Sequence, residues 1–155
     1  MKTTDTSEAG LETTIVKSLI EEAGYQAGNS QDYDRAHAVD LAKLTAFIQS
    51  TQPAVAERLR LDVESPQRAQ FLHRLQGEIA RRGIIDVLRK GVKHGPDSIT
   101  LFYGSPTPNN EKARELFEQN IFSVTRQLRY SSNEIQLALD MGVFINGLPI
   151  ATFEL

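Results

Sequence analysis

Three observations predict an α/β fold with a helical first half and a β-rich second half in a chain of 155 residues. Apolar residues recur at helical spacing across residues 7–91. From residue 97 onward, runs rich in β-branched and aromatic side chains take over. Near the end of the chain, Asn146-Gly147 stands between two such runs, the strongest short-range signal for a β-hairpin. A 40% apolar content and a formal net charge of −3 are those of an ordinary globular domain large enough for a real core. There is no internal repeat, low-complexity tract or clear boundary, so residues 1–155 are expected to form one domain, helical over about 7–91 and β-rich over about 97–155.

The elements follow in order. Leu11, Ile15, Leu19 and Ala23 lie four apart and predict a helix from about Glu8, with Gly24 as its stop. Gly28-Asn29-Ser30-Gln31-Asp32 is a polar loop, and His37, Leu41, Leu44 and Ile48 predict a second helix from Ala36 to Gln49. Pro53 opens a short third helix. Ser65-Pro66 pairs a cap with a first-turn proline and launches a helix burying Phe71, Leu72, Leu75 and Ile79 before Gly83. Ile84 to Lys90 adds a further turn or two of helix, and Ser98 to Tyr103 alternates as a strand. After the loop Gly104-Ser105-Pro106-Thr107-Pro108, Asn110 caps a helix carrying Ala113, Leu116 and Phe117, and Ile121 to Tyr130 forms a strand.

The hairpin admits two registers. A two-residue loop at Asn146-Gly147 would set Asp140 opposite Phe153 and Met141 opposite Thr152, mixing polar and apolar residues on each face. A three-residue loop, or a bulge at Gly142, shifts the pairing by one. Leu139, Met141, Val143, Ile145, Ala151, Phe153 and Leu155 then share one face, and Asp140, Gly142, Thr152 and Glu154 the other. Burial favours the second register, because a one-residue slip moves a strand's whole apolar set to the wrong side.

That register brings two carboxylates, Asp140 and Glu154, onto one surface. Adjacent carboxylates repel and raise each other's pKa unless a cation lies between them. Mg²⁺ suits such a pair, since it takes oxygen ligands, keeps several waters and is commonly shared between carboxylates and a substrate phosphate. The plainer alternative is two solvated acids on a half-exposed sheet.

The run Leu139-Asp140, Phe144-Ile145-Asn146-Gly147-Leu148-Pro149-Ile150-Ala151 and Phe153-Glu154-Leu155 resembles the nuclease core of the restriction (motor) subunit of type I restriction–modification enzymes, members of the PD-(D/E)xK superfamily. The resemblance extends to Phe122 through Tyr130, to Arg82 through Leu88 and to Ser7-Glu8 through Tyr25. It implies a restriction-endonuclease-like mixed β-sheet flanked by helices, truncated before the sheet is complete. It implies Asp140 as first metal ligand, Glu154 as second acid, and Glu8 as the acid that the first helix brings to the metal. Arg126 and Gln127 become supporting-shell or DNA-phosphate candidates. The family's catalytic lysine would follow Leu155, where it would share the face of Glu154 and orient the attacking water, so the fragment is expected to be inactive by itself. The resemblance further implies Mg²⁺-dependent DNA cleavage by a type I site-specific deoxyribonuclease, with modification and specificity subunits as partners. ATP-driven translocation would reside in motor domains absent here.

Other features bound the reading. The chain has no cysteine, which excludes disulfides and thiolate zinc sites and fits a reducing cytoplasm. It has no run of eighteen apolar residues and no apolar signal core after Met1, so a cytoplasmic protein is expected. No Gly-x-x-x-x-Gly-Lys-Ser/Thr loop is present for ATP. His37, His73 and His94 lack paired spacing for a metal. The acidic balance argues that any DNA contact uses a local patch, and Arg81, Arg82, Arg89, Lys90 and Lys93 are the densest basic stretch. The competing function is a non-catalytic assembly module that docks a partner through its helical half.

Overall fold

The computed structural model describes residues 7–129 and 138–155; Tyr130, expected to end a strand, lies outside the described residues. Helix α1 (Glu8–Glu21) starts where the Ser7 hydroxyl accepts the Gly10 N–H at 3.1 Å. Its buried stripe is rotated from the expected one: Leu11 is 47% exposed, whereas Glu12 and Val16 are buried. A short strand β1 (Gln26–Ala27), a 3-10 turn (Ser30–Asp32) and strands β2 (Tyr33–Asp34) and β3 (Val39–Asp40) occupy the segment expected to be loop and helix. Helix α2 (Leu41–Thr51) begins at Leu41 rather than Ala36, because Ala38 adopts a left-handed backbone (φ 56°) and Asp40 caps Lys43 N–H at 3.1 Å.

Pro53 opens α3 (Pro53–Leu59), and Ser65-Pro66 opens α4 (Pro66–Arg82), as their local signals require. Gly83 separates α4 from α5 (Ile84–Lys90). The expected strand from Ser98 to Tyr103 is shorter: β5 (Asp97–Ile99) pairs with β4 (Val92–His94), and residues 100–103 leave the ladder. Side-chain amides replace the missing strand neighbour. Gln52 both donates to Thr100 O and accepts its N–H, each at 2.9 Å. Asn120 does the same for Tyr103, at 2.7 and 3.1 Å. Helix α6 (Glu111–Glu118) is capped by Asn110, as expected.

Strands β6 (Phe122–Arg129), β7 (Ala138–Ile145) and β8 (Leu148–Phe153) form the main sheet with β1, in the order β1-β6-β7-β8. The β1–β6 pair is parallel and the others antiparallel, giving a mixed sheet. Helix α1 covers one face, where Val16 packs with Val124, Met141 and Val143. Helices α2 to α5 enclose a larger cluster containing Phe47, Phe71, Leu75 and Leu148. Among the described residues, no helix is long and apolar enough to cross a membrane.

The hairpin resolves the choice of register by a different device from either expected one. Ile145 faces Leu148 and Phe144 faces Pro149 across a two-residue loop, and the pairing then shifts so that Val143, Gly142 and Met141 face Ala151, Thr152 and Phe153. The bulge lies in β8 at Ile150, not at Gly142. Ile150 contacts both apolar clusters, so burial of this extra residue accompanies the slip. Pro149 is tolerated because β8 is an edge strand of this sheet.

The turn itself is interior. Asn146 has a left-handed backbone (φ 51°) and is fully buried. Its side chain accepts Ile121 N–H at 2.6 Å and donates to Leu101 O and Asn120 Oδ1 at 2.9 and 3.0 Å. A Cβ on Gly147 would come within 2.5 Å of Asp40 O and 2.6 Å of Leu44 N, so only glycine lets the turn dock against the start of α2.

Candidate functional site

The open end of the same hairpin carries Asp140 and Glu154. Met141–Phe153 is the last pair of the ladder, and the same register carried one residue further would set Asp140 opposite Glu154. Directly opposed residues of an antiparallel pair share a face, with Cβ atoms about 5 Å apart. Asp140 Oδ2 accepts the Leu155 N–H at 2.6 Å, which ties the aspartate to the stretch holding Glu154. Among the described residues, Asp140 Oδ1 has no hydrogen-bond partner, and Glu154 is exposed. Both acids thus lie at the open end of the hairpin, and Phe153, expected on the apolar face, is 42% exposed.

Beside this pair, β6 departs from regular geometry. Arg126 faces Met141 and Leu128 faces Leu139, but the ladder skips Gln127, which falls opposite Asp140. Gln127 adopts φ 53°, a conformation that costs a non-glycine residue about 1 kcal/mol or more. Successive side chains of a regular strand point to opposite faces, yet here both neighbours reach one carboxylate. Arg126 Nε donates to Glu12 Oε1 at 2.6 Å and Gln127 Nε2 to Glu12 Oε2 at 3.1 Å, while Arg126 Nη2 reaches Thr13 Oγ1 at 3.1 Å.

Glu12 is thus the acid that α1 lays on the sheet, 6% exposed and bonded through both oxygens. Glu8, the expected contribution of that helix, is exposed one turn earlier, where a carboxylate favours the positive end of the helix dipole. The sequence signal for Glu12 was its place four residues before Val16, on the buried stripe. Arg129 is exposed. His37 lies against Asp34, Nδ1 to Oδ2 2.8 Å, and His94 packs on the Phe71 ring.

A second polar cluster lies in the interior, away from solvent. Asp40 Oδ2, Ser123 Oγ and Thr125 Oγ1 are buried without a hydrogen-bond partner among the described residues. The Thr125 hydroxyl occupies the space that a side chain on Gly28 would need. Burial pushes the Asp40 carboxyl above its ordinary range, against the lowering effect of the Lys43 N–H bond.

Among the described residues no three His, Asp or Glu side chains gather as a metal cage. The open-end pair fits the other kind of site, in which one or two carboxylates hold a hard cation whose remaining positions go to water and phosphate oxygens. Asp140 brings one oxygen without a partner among the described residues and Glu154 an exposed carboxylate, oxygen donors of the kind that Mg²⁺ takes from a protein.

A mixed four-stranded sheet flanked by helices is an α/β fold consistent with the restriction-endonuclease-like class. The chain belongs to the family described as Type I restriction enzyme R protein N terminus, which it matches over residues 5–155. No curated protein and no solved structure matched the chain.

Proposed function

We propose that this chain is the nuclease part of a type I restriction enzyme's R protein and that, in the whole protein, it serves Mg²⁺-dependent hydrolysis of DNA phosphodiester bonds. The observation that supports the reading is the bond from the Leu155 amide to Asp140 Oδ2 at the open end of the β7–β8 hairpin, next to Glu154. Asp140 and Glu154 would hold the ion, which when bound supplies Lewis-acid activation of water and neutralises charge on the phosphate. Arg126 and Gln127 keep Glu12 bonded on the sheet and so support the geometry around Asp140.

In this reading the partners are DNA and the modification and specificity subunits of a restriction complex, and translocation driven by ATP belongs to other parts of the R protein. The test is calorimetric titration of Mn²⁺ into the chain, beside Mg²⁺-dependent plasmid nicking by the whole R protein in its complex. Asp140→Asn and Glu154→Gln should each weaken Mn²⁺ binding at least about tenfold, the effect of about 1.4 kcal/mol, and abolish nicking. Unchanged binding and nicking in both variants would refute the assignment and favour a non-catalytic assembly module.

A further inference from the structure

One segment, from the middle of α4 to β4, is strongly basic. Arg74, Arg81, Arg82, Arg89, Lys90 and Lys93 lie within residues 70–95 with only two acids, Glu78 and Asp86, in a chain whose formal net charge is −3. The rest of the protein is correspondingly more acidic, so the segregation is strong.

Packing turns this segment into a surface. Glu78 is 7% exposed and lies beneath three guanidinium groups: Arg81 donates at 2.8 Å, Arg82 at 3.1 Å, and Arg74 lies 3.7 Å away. The bonds from Arg82 and then Arg81 hold the Glu78 carboxyl below its usual range, so the anchor stays ionised at neutral pH. Arg82 is fixed further by Asp86 at 2.7 Å and by Gly91 O at 3.0 Å. Each guanidinium has five N–H donors, so these bonds orient the groups and leave donors over. Arg89 and Lys93 are exposed and make no ion pair among the described residues, and Lys90 meets only Asp86.

Two adjoining grooves, of about 390 and 290 Å³, share Arg74 and Lys93 as common walls, so Arg74, Arg81, Arg82, Lys90 and Lys93 border one continuous concave strip across α4, α5 and β4, with the exposed Arg89 next to Lys90 at its margin. Helix α5 packs against β8, the strand that leads to Glu154. The strip and the carboxylate pair therefore belong to adjoining elements.

We propose that this strip binds the phosphate backbone of duplex DNA and holds it beside the hairpin. A concave row of arginines and lysines, with the arginines pre-oriented by a buried acid, suits a polyanion whose charges repeat along a line and demands no base reading. An overall acidic chain also needs such a patch to approach DNA at all. The choice of DNA rests on the nuclease reading; the presence of a polyanion site does not.

The test is fluorescence anisotropy of a labelled duplex with the chain in EDTA, across a series of salt concentrations. The variant carries Arg89→Gln, Lys90→Gln and Lys93→Gln, three exposed residues whose loss leaves the Glu78 anchor intact. The log–log salt slope should fall by about 3, one for each phosphate contact, with affinity reduced at every salt concentration. Lys90→Arg with Lys93→Arg should retain binding, and an unaltered melting midpoint shows that the fold is kept. An unchanged slope and affinity in the triple variant would overturn the proposal. So would unaltered DNA binding with lost capture of the modification subunit, which would make the strip a protein interface. Asp140→Asn with Glu154→Gln should leave the slope in EDTA unaffected. Mn²⁺ binding and nicking unchanged by Asp140→Asn and Glu154→Gln, with the slope falling in the triple variant, refute the nuclease reading alone; their loss, with the slope unchanged in the triple variant, refutes the strip alone.

Discussion

The two ends of the β7–β8 hairpin are built from similar residues to opposite purposes. At the closed end, Asn146 is fully buried and both its side-chain atoms are bonded to other segments, while Gly147 lies against the backbone of Asp40 and Leu44. At the open end, Asp140 has one oxygen without a partner among the described residues, and Glu154 is exposed. Polar groups whose hydrogen bonds are complete and buried hold a fold, whereas polar groups with spare capacity facing solvent can take up a ligand. Substitution at the closed end should therefore unfold the protein, and substitution at the open end should disarm it.

The largest effect is expected at Gly147. Gly147→Ala forces a Cβ into backbone atoms at a positive φ of 82° and should cost about 3 kcal/mol, measured by urea denaturation; a loss below 1 kcal/mol would mean the turn is not docked. Asn146→Ala comes next. It removes the partners of Ile121 N–H and Leu101 O and should cost roughly 2 kcal/mol, with metal binding retained by the fraction that stays folded. Arg126→Ala leaves Glu12 buried with one partner fewer and should cost about 1–2 kcal/mol, intermediate between the two ends.

A smaller and pH-dependent effect belongs to Asp40. Because burial raises its folded-state pKa, the unfolded chain gives up the proton first as pH rises. The stabilisation is thus complete below the ordinary value of 3.8 and declines through the folded-state pKa. Asp40→Asn keeps an N-cap for α2 and removes that decline, so the variant should gain melting temperature over the parent at pH 7 but not at pH 3. Glu78, Asp86 and Asp97 are held low by their arginine partners and impose the opposite slope, which is common to both proteins and cancels in the difference. Parallel melting curves for parent and variant across that range would show that Asp40 is not carrying the cost. The smallest effect on stability, within about 1 kcal/mol, is expected for Glu154→Gln at the exposed open end.

What was legible in the sequence was local. Ser65, Pro66 and Gly83 mark the ends of α4 within a few residues of themselves, and Asn110 marks α6 in the same way. The shifted pairing of Met141, Gly142 and Val143 with Phe153, Thr152 and Ala151 was legible as well, because the apolar residues on either side of Asn146-Gly147 favour one register. What was not legible depends on distant partners. Strand β1 exists because Gln26 and Ala27 run parallel to Ser123 and Val124, and two residues carry no periodicity. That Glu12 lies bonded at the sheet was not legible, because its partners Arg126 and Gln127 are far along the chain and Gln127 takes a left-handed backbone. The β8 bulge fell at Ile150 because that residue fills space between two clusters built from other segments.

The most direct test of the hairpin contrast is Mn²⁺ added in substoichiometric amounts to isotope-labelled protein, read as paramagnetic broadening of backbone amides. The amides of Asp140, Glu154 and Leu155 should broaden first while those of Asn146 and Gly147 stay sharp, and Asp140→Asn should abolish the broadening. Uniform broadening, or broadening that persists at the open end in the variant, would contradict a cation held jointly by Asp140 and Glu154.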